Sequence, residues 1–173
     1  SSLFNLPVNI ELTCLADINE VLAQNNADAL GFISSTGCWQ DMVADPNIDI
    51  IAITAPNALH EEMAILAASH GKTIYCEKPL STTLESAMRM VDATNNAGIV
   101  TQVGFNFLRN PLFKMAKTMI ERGDLGDIVS FRGTHAENYM GNPRQPHSFR
   151  THPRGGGALA DIGSHITSLA RYF

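Results

Sequence analysis

Positive charge is scarce in this 173-residue chain: 12 Lys and Arg stand against 17 Asp and Glu, for a net charge of −5 and a pI of about 5.6. The basic face of a general phosphate-backbone binder is therefore missing. No apolar run approaches the roughly 20 residues of a membrane span, and no secretory signal pattern opens the sequence. The three cysteines, Cys14, Cys38 and Cys76, are far apart and never form a CxxC pair. They read as reduced, buried thiols and point to the cytoplasm rather than to a disulfide frame. Charged residues make up only 17% of the chain and hydrophobic ones 45%, a globular balance that excludes disorder, collagen and coiled coil as overall descriptions. A Gly-rich dinucleotide loop is absent too, since nothing before Ile10 reads as a strand followed by GxGxxG. The relaxed match Gly155-Gly156-Gly157-Ala158-Leu159-Ala160 follows Thr151-His152-Pro153-Arg154 instead of a strand and is set aside.

What is present is a rhythm of short apolar runs and helical segments. Ile10 to Ala16, Ile48 to Thr54, Thr73 to Cys76 and Ile99 to Gly104 read as strands, with Gly31-Phe32-Ile33 as a further short one. Runs that are apolar almost throughout suit parallel strands covered on both faces. Between them, Asn57 is placed to cap a helix ending at His70 and Gly71, and Thr82 with Glu85 forms a capping box for a helix ending at Gly98. Pro111 opens another helix, followed by Gly123. This alternation predicts right-handed βαβ units and an α/β, Rossmann-type doubly wound sheet over residues 1–122. After Gly126 the character changes. Asp127 to His135 reads as a longer alternating strand, 137–157 as a polar surface loop, and Ala158 to Phe173 as a helix, so a second domain is expected over 123–173.

Three places can carry chemistry. Asp17 ends the first strand, where an acid can accept hydrogen bonds from ribose hydroxyls. Glu77-Lys78-Pro79 follows directly on a strand, at the sheet edge where open α/β folds bind ligands, and proline there raises the chance of a cis bond. Asp161 and His165 are four apart on one helix, so they share a face on which a carboxylate can orient an imidazole as general base. Leu159, Ile162, Ile166 and Leu169 are expected to pack inward from the other face. His135, Glu137, His147 and His152 have spacings that fit no metal motif.

Taken together these residues resemble the Gfo/Idh/MocA family, that of glucose–fructose oxidoreductase and the inositol dehydrogenases. The resemblance runs through Ala55-Pro56-Asn57-Ala58-Leu59-His60, Cys76-Glu77-Lys78-Pro79-Leu80, Gly104-Phe105-Asn106 and Gly157-Ala158-Leu159-Ala160-Asp161-Ile162-Gly163-Ser164-His165, in that order. It implies a nicotinamide cofactor, NAD or NADP, on a Rossmann domain, then an α+β domain with a mainly antiparallel sheet. It implies Lys78 as the lysine that meets substrate and nicotinamide ribose, His165 as the base, and Asp161 as its partner in the site. It places Asp17, Pro56, Asn57, His60 and Glu77 along the cofactor, and Asn106 and Arg109 toward substrate. The family pattern has an arginine directly after an aromatic or arginine at this point, whereas here Phe107 and Leu108 precede Arg109. The implied reaction is hydride transfer with a carbinol of a sugar, polyol or cyclitol. No metal, nucleic acid or membrane partner is expected, and the complete protein is expected to be a homo-oligomer. The family's first strand, Gly-rich loop and later sheet have no counterpart here, so the chain is expected to be an internal fragment. Non-catalytic nucleotide or sugar binding on the same fold is the alternative, and a metal-dependent lyase or hydrolase a third.

Overall fold

Strand and helix alternate from Cys14 onward. The structure is a computed structural model describing residues 9–138, 141, 142, 144 and 157–173. The elements are β1 (Cys14–Ala16), α1 (Glu20–Leu30), β2 (Ser34–Thr36), α2 (Trp39–Ala44), β3 (Ile50–Ile53), α3 (His60–Ser69), β4 (Thr73–Cys76), α4 (Leu84–Ala97), β5 (Thr101–Val103), α5 (Pro111–Glu121) and α6 (Ser164–Tyr172). Every ladder is parallel. β1 pairs with β2, Cys14 opposite Ser34, while β3, β4 and β5 pair in that order, Ile53 opposite Cys76 and Cys76 opposite Val103. Helices α1, α3 and α4 make the crossovers that parallel pairs require. Among the described residues the two ladders share no strand pairing, and α2 packs against both β1 and α3.

The core lies between the three-stranded ladder and α2, α3 and α4. Ile51, Ile53, Ile74 and Cys76 meet Ala64, Ala67, Ala68, Met90 and Val43. Three alanines on α3 let that helix approach the sheet closely. β3 alternates: Ile51 and Ile53 are buried, while Ile50 is 58% exposed, so this strand is covered on one face. The expectation of apolar cover on both faces is corrected there. Burial, with the negative charge of Glu77 nearby, pushes the Cys76 thiol up to about 12. Buried Lys72 donates to the carbonyls of Asp45 and Ile48, both at 2.6 Å, and so fixes the turn that leads into β3. On the surface, Arg89 of α4 grips Glu61 of α3 through both carboxylate oxygens, at 2.5 and 2.9 Å, and holds that carboxyl down at about 2.

Several expectations change. The second strand is Ser34–Thr36 and not 31–33, because Gly31 at φ 84° closes α1 by donating to Ala27 O. Neither α1 nor α2 is announced by an apolar stripe. Asn57 does not cap a helix with its side chain; it opens a 3₁₀ turn, Asn57–Leu59, ahead of α3. Thr83, not Thr82, caps α4, accepting from the Ser86 N–H at 3.2 Å. Residues 127–138 carry no strand, since a ladder needs a second segment and none of the described residues supplies it, so the antiparallel sheet expected there is not formed among them. The last helix opens on a π turn, Leu159–Gly163, which leaves Leu159 79% exposed instead of packed inward. Most of the polar loop 137–157, with His147 and His152, lies outside the described residues.

Candidate active site at the strand ends

The residue after β4 leaves the sheet with one last ladder-like bond, Glu77 N–H to Ile53 O at 2.9 Å. Its carboxylate turns back, accepting from the Lys78 N–H at 3.1 Å and the Tyr75 hydroxyl at 3.4 Å. Gly104, at the exit of β5, is what leaves room for it. A Cβ on Gly104 would stand 2.6 Å from Glu77 Oε1 and 2.9 Å from the Tyr75 hydroxyl. The Lys78–Pro79 bond is cis.

Lys78 then reaches across 83 residues of sequence to the π turn. Its Nζ donates to Asp161 Oδ1 at 2.9 Å and to Asp161 O at 2.6 Å. Both side chains are nearly buried, at 15% and 16% exposure, so the pair is screened little by water. Widened π turns inside helices are frequent at functional sites, and this one aims both a carboxylate and a main-chain carbonyl at a single ammonium. Asp161, expected beside His165 from its spacing, is also bonded to Lys78 from the far end of the chain.

His165, on the first turn of α6, is 9% exposed. Phe107 leans over it at a 40° tilt, 4.5 Å between ring centroids, and Phe105 meets it edge-on at 6.0 Å. Burial lowers its pKa first, then the charges of Lys78 and His135, against smaller opposing effects of Glu77 and Asp161. The ring is therefore held toward its neutral form, the form a general base needs. Its Nδ1 is buried with no hydrogen-bond partner among the described residues, an exception to the usual pairing of buried polar atoms. His135 stands 6.0 Å from His165 between centroids and meets Glu137 Oε1 at 2.5 Å. Among the described residues no three His, Cys, Asp or Glu side chains gather as metal ligands.

The other predicted residues fall elsewhere. Asp17 and Pro56 line one recess of about 280 Å³ at the ends of β1 and β3, walled by Trp39, Val43 and Met63. Asp17 itself braces the entry to α1 by accepting from the Asn19 N–H at 2.8 Å. Asn57 is half-buried and not part of that lining. His60 is fully buried, its ring nitrogens on main-chain carbonyls, so its side chain packs into the protein interior behind the loop after β3. Asn106 and Arg109 are exposed on a 3₁₀ turn. They line a recess of about 420 Å³ with Tyr75, Gln102 and Tyr172 whose walls do not include Lys78, Asp161 or His165. Arg109 is tied to Gln102 at 3.0 Å. The aromatic wall of Phe105 and Phe107 was not expected; two aromatics at alternate positions just past a strand end are the signal that marks it.

Residues 2–105 match the family described as oxidoreductase family, NAD-binding Rossmann fold, and residues 113–173 match the GFO/IDH/MocA C-terminal domain. A levoglucosan dehydrogenase of Pseudarthrobacter phenanthrenivorans is 43% identical over 160 residues, 91% of this chain and 41% of that protein. A scyllo-inositol 2-dehydrogenase (NAD(+)) of Bacillus subtilis is 32% identical over 162 residues, 94% of this chain and 46% of that protein. Among solved structures, levoglucosan dehydrogenase in complex with NADH and levoglucosan superposes with a TM-score of 0.91 at 42% identity, covering 94% of this chain and 44% of that one. The chain thus spans less than half the length of these relatives. Among the described residues no helix is long and apolar enough to cross a membrane.

Proposed function

The chain belongs to the GFO/IDH/MocA oxidoreductase family, with an NAD-binding Rossmann fold, and from that premise we propose that it carries the cofactor half and the acid–base centre of a dehydrogenase acting on a carbinol of a sugar, anhydrosugar or cyclitol. The observation that carries this reading is the meeting of Lys78, Asp161 and His165 from two distant parts of the chain. The strand-end recess has the chemistry a dinucleotide asks for: an acid, Asp17, suited to a ribose diol, beside an apolar wall that suits an adenine ring. Asp17 and Pro56 would hold that part, and Lys78 the nicotinamide ribose. The charge of Asp17 disfavours a 2′-phosphate, so NAD is preferred to NADP. Hydride acceptance is the chemistry a nicotinamide supplies when bound.

The side chains do the rest. His165, kept neutral by burial and by Lys78, takes the hydroxyl proton, a contribution of roughly 10²–10⁴-fold. Lys78 holds the developing alkoxide with its charge in a site where water is sparse. Asp161 fixes the ammonium in place and balances its charge. Phe105 and Phe107 exclude water from the imidazole. In the same reading residues 1–122 form the cofactor domain, residues 123–173 open the substrate domain, and the complete protein is a homo-oligomer.

The test is NADH formation by the complete protein with levoglucosan, scyllo-inositol and myo-inositol, using NAD and NADP in parallel. Lys78→Ala and His165→Ala are expected to lose most turnover while NADH still binds. Near-normal turnover in either variant removes that residue from the mechanism.

A further inference from the structure

His60 is fully buried, and each ring nitrogen faces an acceptor. Nε2 stands 2.9 Å from Ala55 O, and Nδ1 stands 3.1 Å from Pro79 O and 3.3 Å from Leu80 O. These carbonyls belong to two different loops, one leaving β3 and one leaving β4, and both loops are short of donors. Pro56 follows Ala55 and Pro79 follows Lys78, and a proline has no N–H. Water does not reach the ring to replace a missing bond. A neutral imidazole has one N–H and one bare nitrogen, so it satisfies one loop and turns a lone pair on the other. In either tautomer the ring spans the two loops, 2.9 Å from one and 3.1 Å from the other. The ring is anchored on the first residue of α3, whose own N–H bonds Asn57 O.

We propose that His60 is a positioning residue that ties the loop after β3 to the Lys78-Pro79-Leu80 segment and thereby sets where the Lys78 ammonium stands. The loop after β3 contributes Ala55 and Pro56 to the recess that also holds Asp17. The segment after β4 contributes Lys78 to the pair with Asp161. His60 thus links the two halves of the site from the protein interior. Its consequence for turnover rests on the dehydrogenase reading above; its hydrogen-bonding state and its hold on the backbone do not.

The experiment has one part free of substrate and one that needs it. In the ¹⁵N spectrum of the protein, the His60 ring N–H is expected to exchange slowly with solvent, as a buried hydrogen bond to a loop carbonyl does. A fast-exchanging ring N–H overturns the tie between the loops, whether or not any variant folds. In His60→Gln, the backbone amide signals of Lys78 and Leu80 are expected to move while those of Leu15 and Ser35 in the β1–β2 pair stay. Unmoved Lys78 and Leu80 signals overturn the positioning role. With substrate, His60→Gln is expected to lower kcat by about ten- to a hundredfold, the size of loss that a misplaced group produces, with NADH affinity within about threefold. Added to Lys78→Met it costs nothing further, because groups that act as a unit are not additive. Full additivity would mean that His60 acts on the structure at large. If no substrate is turned over even by the unaltered protein, it is the dehydrogenase reading that fails, and the spectra still decide the role of His60.

Discussion

At the scale of single residues, the site depends on who pairs with whom. Lys78 binds an aspartate and repels a histidine, so one ammonium does two things: it is fixed by Asp161 and, after burial, it lowers the His165 pKa. Since burial and the Lys78 charge both lower the His165 pKa from 6.5, the ring is expected to titrate below 6.5, and Lys78→Met to move it upward. Proton NMR of the His165 ring against pH checks this; an upshifted ring in the unaltered protein would sink it. The sign for stability follows from linkage. The unfolded chain binds the His165 proton more readily than the folded one, so this contribution is present above about 6.5 and lost as the pH falls from there through the folded value. Asp17 and Lys78 were legible as residues because each stands at the end of an apolar run. The Lys78–Asp161 pair was not, because i,i+4 spacing speaks only of neighbours along one helix and says nothing of a lysine 83 residues away.

At the scale of elements, local rules located most boundaries and missed where two neighbours compete for one role. Thr82 and Thr83 both precede α4, and the capping-box spacing to Glu85 favours Thr82, yet Thr83 makes the bond to Ser86 N–H. Thr83→Ala is therefore expected to cost about 1 kcal/mol, and Thr82→Ala little, as read from denaturant midpoints. Equal losses would contradict the cap assignment. The short α2 has six residues and only Val43 buried, too little periodicity to be read from the sequence. α1 buries just two alanines, Ala23 and Ala27, so it carries no apolar stripe either. The π turn at Leu159–Gly163 is likewise a tertiary outcome: its Asp161 carbonyl and carboxylate are both engaged by Lys78.

At the scale of the whole molecule, the two parallel ladders present edges among the described residues, and large apolar side chains stand in solvent, among them Ile18 at 93% and Val129 at 95% exposure. Unpaired edges and apolar surface of this kind promote association. The 173-residue chain on its own is expected to self-associate, its mean mass in sedimentation rising with concentration above 18.8 kDa; a monomer at all concentrations would show that these surfaces are tolerated. The alternation of strand and helix, the parallel character of the sheet and the strand-end placement of Asp17 and Lys78 came from sequence, because each depends on periodicity and punctuation within a few residues. Tertiary structure alone decided that Asp161 pairs with Lys78, that Phe105 and Phe107 flank His165, that the His60 ring lies buried on main-chain carbonyls, and that Asn106 and Arg109 line a separate recess. Each of these depends on distances between segments far apart in the chain, and short-range patterns of hydrophobicity and turn chemistry contain no term for such distances.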